Sequence, residues 1–267
     1  MSMSDSSPVT YSQRGAVVTL RLERPETRNS LTHELRVHLL AALQRADADA
    51  DVRVVILTAM GKAFSVGQDI EELADLYKDG QNRLGQMVEQ EYVPIVQALR
   101  SMTKPTISLF TAPAVGGGMA LVLATDFRVV TQQAVLIPAF VQVGLAPDSG
   151  VSFFLSRMIG YAKALQVLFT GQRISAEEMV HLGLAETVWN TEEQAVDACQ
   201  SLASRLAAGP TRAFAAIRQL LDDAAGHSLE ETMALETGVQ DRLASTWDHK
   251  EAIQAFLEKR KPQFRGK

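Results

Sequence analysis

The chain has 267 residues, 46% apolar and 21% charged, the proportions of a soluble globular protein with a sizeable core. Its formal net charge of −5, with no block of one sign, argues against nucleic acid or an anionic membrane as the main partner. The single Cys199 excludes an intrachain disulfide and a cysteine-based zinc site, and the five histidines show no metal-type spacing: His33 and His38, five apart on an expected helix, do not share a face. No metal site is expected.

Met1 to Pro8 is polar and serine-rich, without an apolar signal core or an Arg-rich amphipathic pattern. No run of about 18 apolar residues occurs. These features lead to the expectation of a cytoplasmic protein in a reducing compartment. Val17–Leu22 is β-branched and partly alternating, so it reads as a strand. Residues 24–30 form a loop rich in turn chemistry, after which Thr32 offers an N-cap to an amphipathic helix carrying Leu35, Leu39, Leu40 and Leu43. A second strand covers Val54–Thr58. The loop from Gly61 to Ile70 contains Gly-Lys but lacks the glycine five residues earlier that a phosphate-binding P-loop requires. Residues 71–102 read as a polar helical region, broken near Gly80 and containing Pro94, and are expected to be a mobile cover rather than core.

Strand Thr106–Phe110 feeds Gly116-Gly117-Gly118 and an apolar helix. A strand, three glycines and a helix start leave backbone N–H groups free and unobstructed by Cβ atoms. Such a turn can hold an anion or oxyanion, or can simply let a buried helix pack closely on a sheet. Two short strands follow, at 126–130 and 134–137, and then Gly144-Leu145-Ala146-Pro147-Asp148-Ser149-Gly150. Asp148 reads locally as an N-cap for a helix starting near Ser149. From Ala162 the chain is almost wholly helical: Ser175-Ala176-Glu177-Glu178 is a capping-box pattern, Pro210 opens a further helix and Asp248 is a candidate cap for the last one, which ends near Arg260. Strands alternating with helices, then helices alone, give an α/β core with a helical C-terminal part. No G-x-G-x-x-G follows the first strand, which disfavours a dinucleotide-binding fold.

Taken together, residues 24–31 (RPETRNSL), 61–69 (GKAFSVGQD), the triple glycine, 169–176 (FTGQRISA) and 255–264 (AFLEKRKPQF) resemble, in order, the crotonase (enoyl-CoA hydratase/isomerase) family. The resemblance implies a ββα spiral core, placed at residues 9–200, and a helical trimerisation region at 201–267. It also implies a homotrimer or dimer of trimers and an acyl-CoA thioester substrate, with CoA arriving on the substrate and no separate cofactor. It places the thioester oxygen between the N–H groups of Gln68 and Gly117. Arg24, Arg28 and Lys62 become candidates for the CoA phosphates or ordinary surface charges. Ala63, Phe64, Asp69, Ile70, Gly116 and Phe140 become candidate substrate contacts, Asp69 more as an orienter of its loop than as a reacting group.

Departures from the family pattern bear on the reaction. The two glutamates of the family's hydratases fall here at Ala120 and Phe140, which cannot move a proton. Asp148 instead matches the Gly-Leu-x-Pro-Asp-x-Gly pattern of family isomerases, in which one carboxylate carries a proton between C2 and C4 or serves ring rearrangement. One carboxylate suffices for a 1,3-shift because the same group takes and returns the proton. Phe140, Leu145, Phe153 and Phe154 would raise its pKa if they line the pocket. The expectation is an acyl-CoA isomerase. Its rivals are a hydratase or thioester hydrolase drawing a second carboxylate from Glu71, Glu72 or Glu89, and a non-catalytic CoA-ester-binding protein.

Overall fold

The computed structural model describes residues 7–78 and 83–267. In chain order it comprises β1 (Val9–Arg14), β2 (Val17–Leu22), α1 (His33–Ala48), β3 (Val54–Ala59), α2 (Ile70–Asp75), α3 (Leu84–Met87), a π-helical turn (Val88–Tyr92) and α4 (Val93–Ser101). Then come β4 (Thr106–Phe110), β5 (Ala114–Val115), α5 (Gly117–Ala124), β6 (Phe127–Thr131), β7 (Val135–Ile137), α6 (Val151–Ile159) and α7 (Tyr161–Thr170). The chain closes with β8 (Ile174–Ser175), α8 (Ala176–His181), β9 (Val188–Trp189), α9 (Glu192–Ala207), α10 (Thr211–Ala224), α11 (Leu229–Ala244) and α12 (Trp247–Leu257).

Six strands form one sheet in the order β1-β2-β3-β4-β6-β9, parallel except for the β1–β2 hairpin, and β5-β7-β8 form a second, smaller sheet. The central strands are covered on both faces, so β3 opens with four buried apolar residues and β4 is buried at every position. Alternation divides their side chains: Val55 and Leu57 join the main core with Leu35, Leu39 and Leu43 of α1, while Val54 and Ile56 meet Ala195, Cys199 and Ala203 of α9. Cys199 is therefore core, and burial pushes its thiol up to about 12. Thr32 caps α1, its hydroxyl accepting from the Leu35 N–H. At the other end of α1 the buried Lys104 ammonium donates to the carbonyls of Ala46, Asp47 and Asp49.

Several expectations change. Residues 87–102 are not a cover: Met87, Tyr92, Ile95, Leu99 and Met102 are buried members of the main core, because α4 lays its apolar face against α1 and α5. The break near Gly80 lies outside the described residues. Asp248 does not cap α12; Thr246 does, accepting from the His249 N–H, and the buried Asp248 carboxylate instead accepts from the N–H groups of Arg265 and Gly266. Ser175 accepts from the Glu178 N–H, but the Glu178 carboxylate turns to Lys163, so the reciprocal half of that box is replaced by an ion pair. The boundary drawn at 200/201 falls inside α9, which belongs to the sheet. The helices beyond residue 210 are tied to the core by Arg218, which reaches Asp126 and the Met102 carbonyl, and by Arg53, which reaches the Gly209 and Phe264 carbonyls. No helix among the described residues is long and apolar enough to cross a membrane.

Candidate active site

Two loops and one helix start converge at the C-terminal ends of β2, β3 and β4. Asn29, fully buried with φ +54°, joins the loops: its amide donates to the Met60 and Ala63 carbonyls (2.9 and 2.8 Å), and its Oδ1 accepts from the Arg24 N–H (2.8 Å). The Ser65 hydroxyl donates to the Asn29 carbonyl (2.7 Å) and accepts from the Gly67 N–H (3.1 Å). The Gly61–Asp69 loop is then stitched to the chain before the triple glycine, Phe64 N–H donating to the Pro113 carbonyl and Val115 N–H to the Ser65 carbonyl (both 2.9 Å).

This stitching demands glycine at two points. Gly67 has φ +84°, and a Cβ there would stand 2.8 Å from the Val115 oxygen and 3.3 Å from the Gly117 nitrogen. A Cβ on Gly118 would stand 2.7 Å from the Ser65 Cβ. The close-packing reading of the triple glycine is thus physically present. Gly116 spends its N–H on the Ile137 carbonyl (3.0 Å), whereas Gly117 opens α5 with its N–H outside the helical ladder. Among the described residues neither the Gln68 N–H nor the Gly117 N–H has a hydrogen-bond acceptor.

Both residues line a cavity of about 130 Å³, together with Ile70, Gly116, Phe140 and Asp148. Six of the residues singled out from sequence therefore meet in one place. Its remaining walls are apolar apart from Tyr92. Arg24, Arg28, Lys62, Ala63, Phe64 and Asp69 do not wall the cavity. Ala63 and Phe64 are buried beneath the loop, Phe64 edge-on to Phe110. Arg28 and Lys62 are exposed, and Arg24 donates to the Thr32 hydroxyl (2.8 Å). Asp69 caps α2, accepting from the Glu71 and Glu72 N–H groups and from the Ser30 hydroxyl; burial pushes its carboxyl up, but these bonds outweigh it and hold it below the ordinary value.

Asp148 lies where Ser149 (φ +51°) and Gly150 (φ +83°) turn the chain into α6. Its carboxylate does not cap that helix, which starts later than expected, at Val151, with Gly150 at the cap position and no side-chain capping bond. It faces the cavity instead. Burial pushes the Asp148 carboxyl up, opposed by the Ser149 hydroxyl that donates to its Oδ1 (2.8 Å). Phe140 and Leu145 belong to its surroundings, but Phe153 and Phe154 do not: they line a separate cleft of about 640 Å³ against α10. Ala120 is buried in α5, outside the cavity.

Composition and motifs missed a cluster behind the cavity. Arg36, 2% exposed, pairs with Glu72 (3.1 Å) and Glu91 (2.7 Å) and donates to the Gln68 Oε1 (3.1 Å). Arg36 adjoins Leu35 on an amphipathic helix and reads as its polar face, and its partners lie 36 and 55 residues further along, so local sequence carried no signal. Burial works against its charge, but Tyr92, Glu91 and Glu72 outweigh it and raise the pKa of the guanidinium.

A model of the enoyl-CoA hydratase/isomerase family matches residues 12–267. A Rhodobacter capsulatus protein described as "Probable enoyl-CoA hydratase" is 36% identical over 97% of this chain and 98% of its own length. The 1,2-epoxyphenylacetyl-CoA isomerase of Escherichia coli K12 is 34% identical over 94% of this chain and 95% of its own. Among solved structures, an enoyl-CoA hydratase from Polaromonas sp. JS666 superposes with a TM-score of 0.89 at 31% identity, covering 96% of this chain and 99% of that one. The chain belongs to the enoyl-CoA hydratase/isomerase (crotonase) family, has its fold, and is an enzyme of that family, whose members act on acyl-CoA substrates.

Proposed function

We propose that the protein is an acyl-CoA isomerase that shifts a double bond, or rearranges an acyl group, through a thioester enolate. One observation carries this reading: Asp148 is the one carboxylate among the described residues lining the cavity, which it shares with two N–H groups without acceptors. The thioester oxygen accepts from the Gln68 and Gly117 N–H groups. Asp148 takes a proton from C2 of a 3-enoyl thioester, and the C–H electron pair spreads to the oxygen and across C3 and C4. The same carboxyl returns the proton at C4, leaving a 2-enoyl thioester. Each preorganised N–H donor is worth about 3–4 kcal/mol to the developing anion.

Water addition asks for a second group to handle the water, and the positions that carry it in the family's hydratases are Ala120 and Phe140. Glu71, Glu72 and Glu89 do not line the cavity, and Glu72 is engaged by Arg36 and by the His33 N–H. CoA enters with the substrate, and no separate cofactor takes part in this scheme. The exposed Arg28 and Lys62 at the rim loops supply positive charge for its phosphates. We propose further that residues 201–267 mediate a homotrimer or dimer of trimers, since α10–α12 expose Ile217, Leu221, Ile253 and Phe256.

Offering a 3-enoyl-CoA and, separately, a 2-enoyl-CoA tests the reaction. The isomerase reading expects rapid growth of the conjugated thioester absorbance from the first and little net hydration of the second. Fast hydration of the 2-enoyl-CoA with no conjugation of the 3-enoyl-CoA overturns it.

A further inference from the structure

Resting on the oxyanion role proposed above, we infer that Tyr92 and Arg36 are positioning residues that fix the aim and spacing of the two N–H donors. Tyr92 touches both halves of the site. Its hydroxyl donates to the Gln68 Oε1, and its ring lies under Gly117, where a Cβ would stand 2.9 Å from the Tyr92 Cε1. A π-helical turn places it there, a local insertion that re-aims a side chain and is common at functional sites.

Arg36 holds the same cluster from behind. Its guanidinium carbon lies 5.0 Å from the Tyr92 ring centroid, and one terminal nitrogen donates to both the Gln68 Oε1 and the Leu31 carbonyl. Leu31 pairs with Gln68 in a parallel bridge, its N–H donating to the Gly67 carbonyl (2.8 Å), and its side chain also packs under Gly117. The remaining donors of Arg36 go to Glu72 and Glu91, which lock the fork in place.

A buried ion pair by itself adds little to stability and is often replaceable by apolar side chains. Here the donors are not confined to the carboxylates: they end on the Gln68 side chain and on the backbone of Leu31, the residue bridged to Gln68. Burial also pushes the Tyr92 phenol well up, so it remains a neutral donor throughout the working range. Gln68 therefore contributes a side-chain anchor in addition to its N–H, and the separation of the two donors is set from the protein side before any ligand arrives.

The test reads the donors directly, without turnover. The infrared stretch of a 13C-labelled thioester carbonyl is recorded for hexanoyl-CoA bound to the full-length wild type, Tyr92→Phe and Glu91→Gln. Tyr92→Phe keeps the ring beneath Gly117 and removes the hydroxyl; Glu91→Gln frees the Arg36 fork and guards against a folding defect in the first variant. The expected result is a red-shifted carbonyl in the wild type, loss of roughly half of that shift or more in both variants, and a Kd within about threefold of wild type. A wild-type shift retained in both folded variants overturns the positioning role alone. No shift in the wild type overturns the oxyanion reading, and the positioning role with it.

Discussion

The proposed isomerase chemistry rests on one side chain, Asp148. Its carboxyl is raised by burial from an ordinary value of 3.8 and faces a cavity with no neighbouring cation on its walls among the described residues. A raised pKa brings a carboxylate closer to the acidity of the proton it must move and makes its return easier. It also has a stability consequence. The folded state holds the Asp148 proton more tightly than the unfolded state, so this group's contribution to stability is fully present below about pH 3.8 and is lost as pH rises through the folded pKa. Asp148→Asn removes that loss: its melting temperature is expected to exceed wild type at pH 7, with the difference vanishing near pH 3, as calorimetry across pH would show. An equal gain at both pH values would mean that ionisation is not its source. With Asp148 as the proposed base the same titration governs rate, so kcat/KM is expected to rise with pH through the raised pKa and then level off.

At the scale of elements, the site is a meeting of loops whose spacing is set by what glycine omits. Gly67→Ala forces a Cβ into the Val115 carbonyl at a backbone angle that L-residues rarely adopt. The expected cost is about 2–5 kcal/mol, from roughly 1–2 for the left-handed backbone and 1–3 for overpacking. Activity should fall even in molecules that remain folded, because the same Cβ presses on the Gly117 nitrogen. Urea unfolding followed by rate measurement separates the two effects, and a variant matching wild type in both would refute this account of the loop. Much of this element layer was legible beforehand. The Val54–Thr58 and Thr106–Phe110 strands announce themselves by runs that are mostly β-branched and apolar, Thr32 by capping chemistry, and Gly116–Gly118 by the absence of side chains between a strand and an apolar helix. The other side of the cavity was not. Residues 87–102 looked polar because Glu89, Gln90 and Glu91 interrupt their apolar residues, while a π-helical turn shifts the period that would have revealed Met87, Tyr92, Ile95 and Leu99 as one buried face. Arg36 was silent because its partners are remote in sequence. Asp148 carried two readings, cap and base, and the left-handed turn at Ser149 and Gly150 removes the first, by delaying the helix to Val151.

At the scale of the whole molecule, one sheet carries two cores, and the active-site loops rise from the end of that rigid layer. The helices beyond residue 210 are held to the core by the guanidinium contacts of Arg218 and Arg53. They leave Ile217, Leu221 and Phe256 more than half exposed and border the 640 Å³ cleft that Phe127 and Phe153 line. Apolar surface on this scale calls for a cover, and in the proposed trimer a second and third copy of the chain would provide one. Sedimentation equilibrium is expected to give a mass of three or six chains, with Leu221→Asp shifting it towards monomer at micromolar concentration. A wild-type monomer would contradict the assembly.

The most direct trial of the account is the fate of one proton. A 3-enoyl-CoA carrying deuterium at C2 is converted by wild type and by Asp148→Asn, with rates followed in the ultraviolet and label located by mass spectrometry and NMR. The wild type is expected to give a 2-enoyl-CoA with deuterium delivered to C4 by the group that removed it, and Asp148→Asn a rate lower by roughly 10²–10⁴-fold. Conversion by Asp148→Asn at an undiminished rate would contradict this expectation and assign the proton transfer to another group.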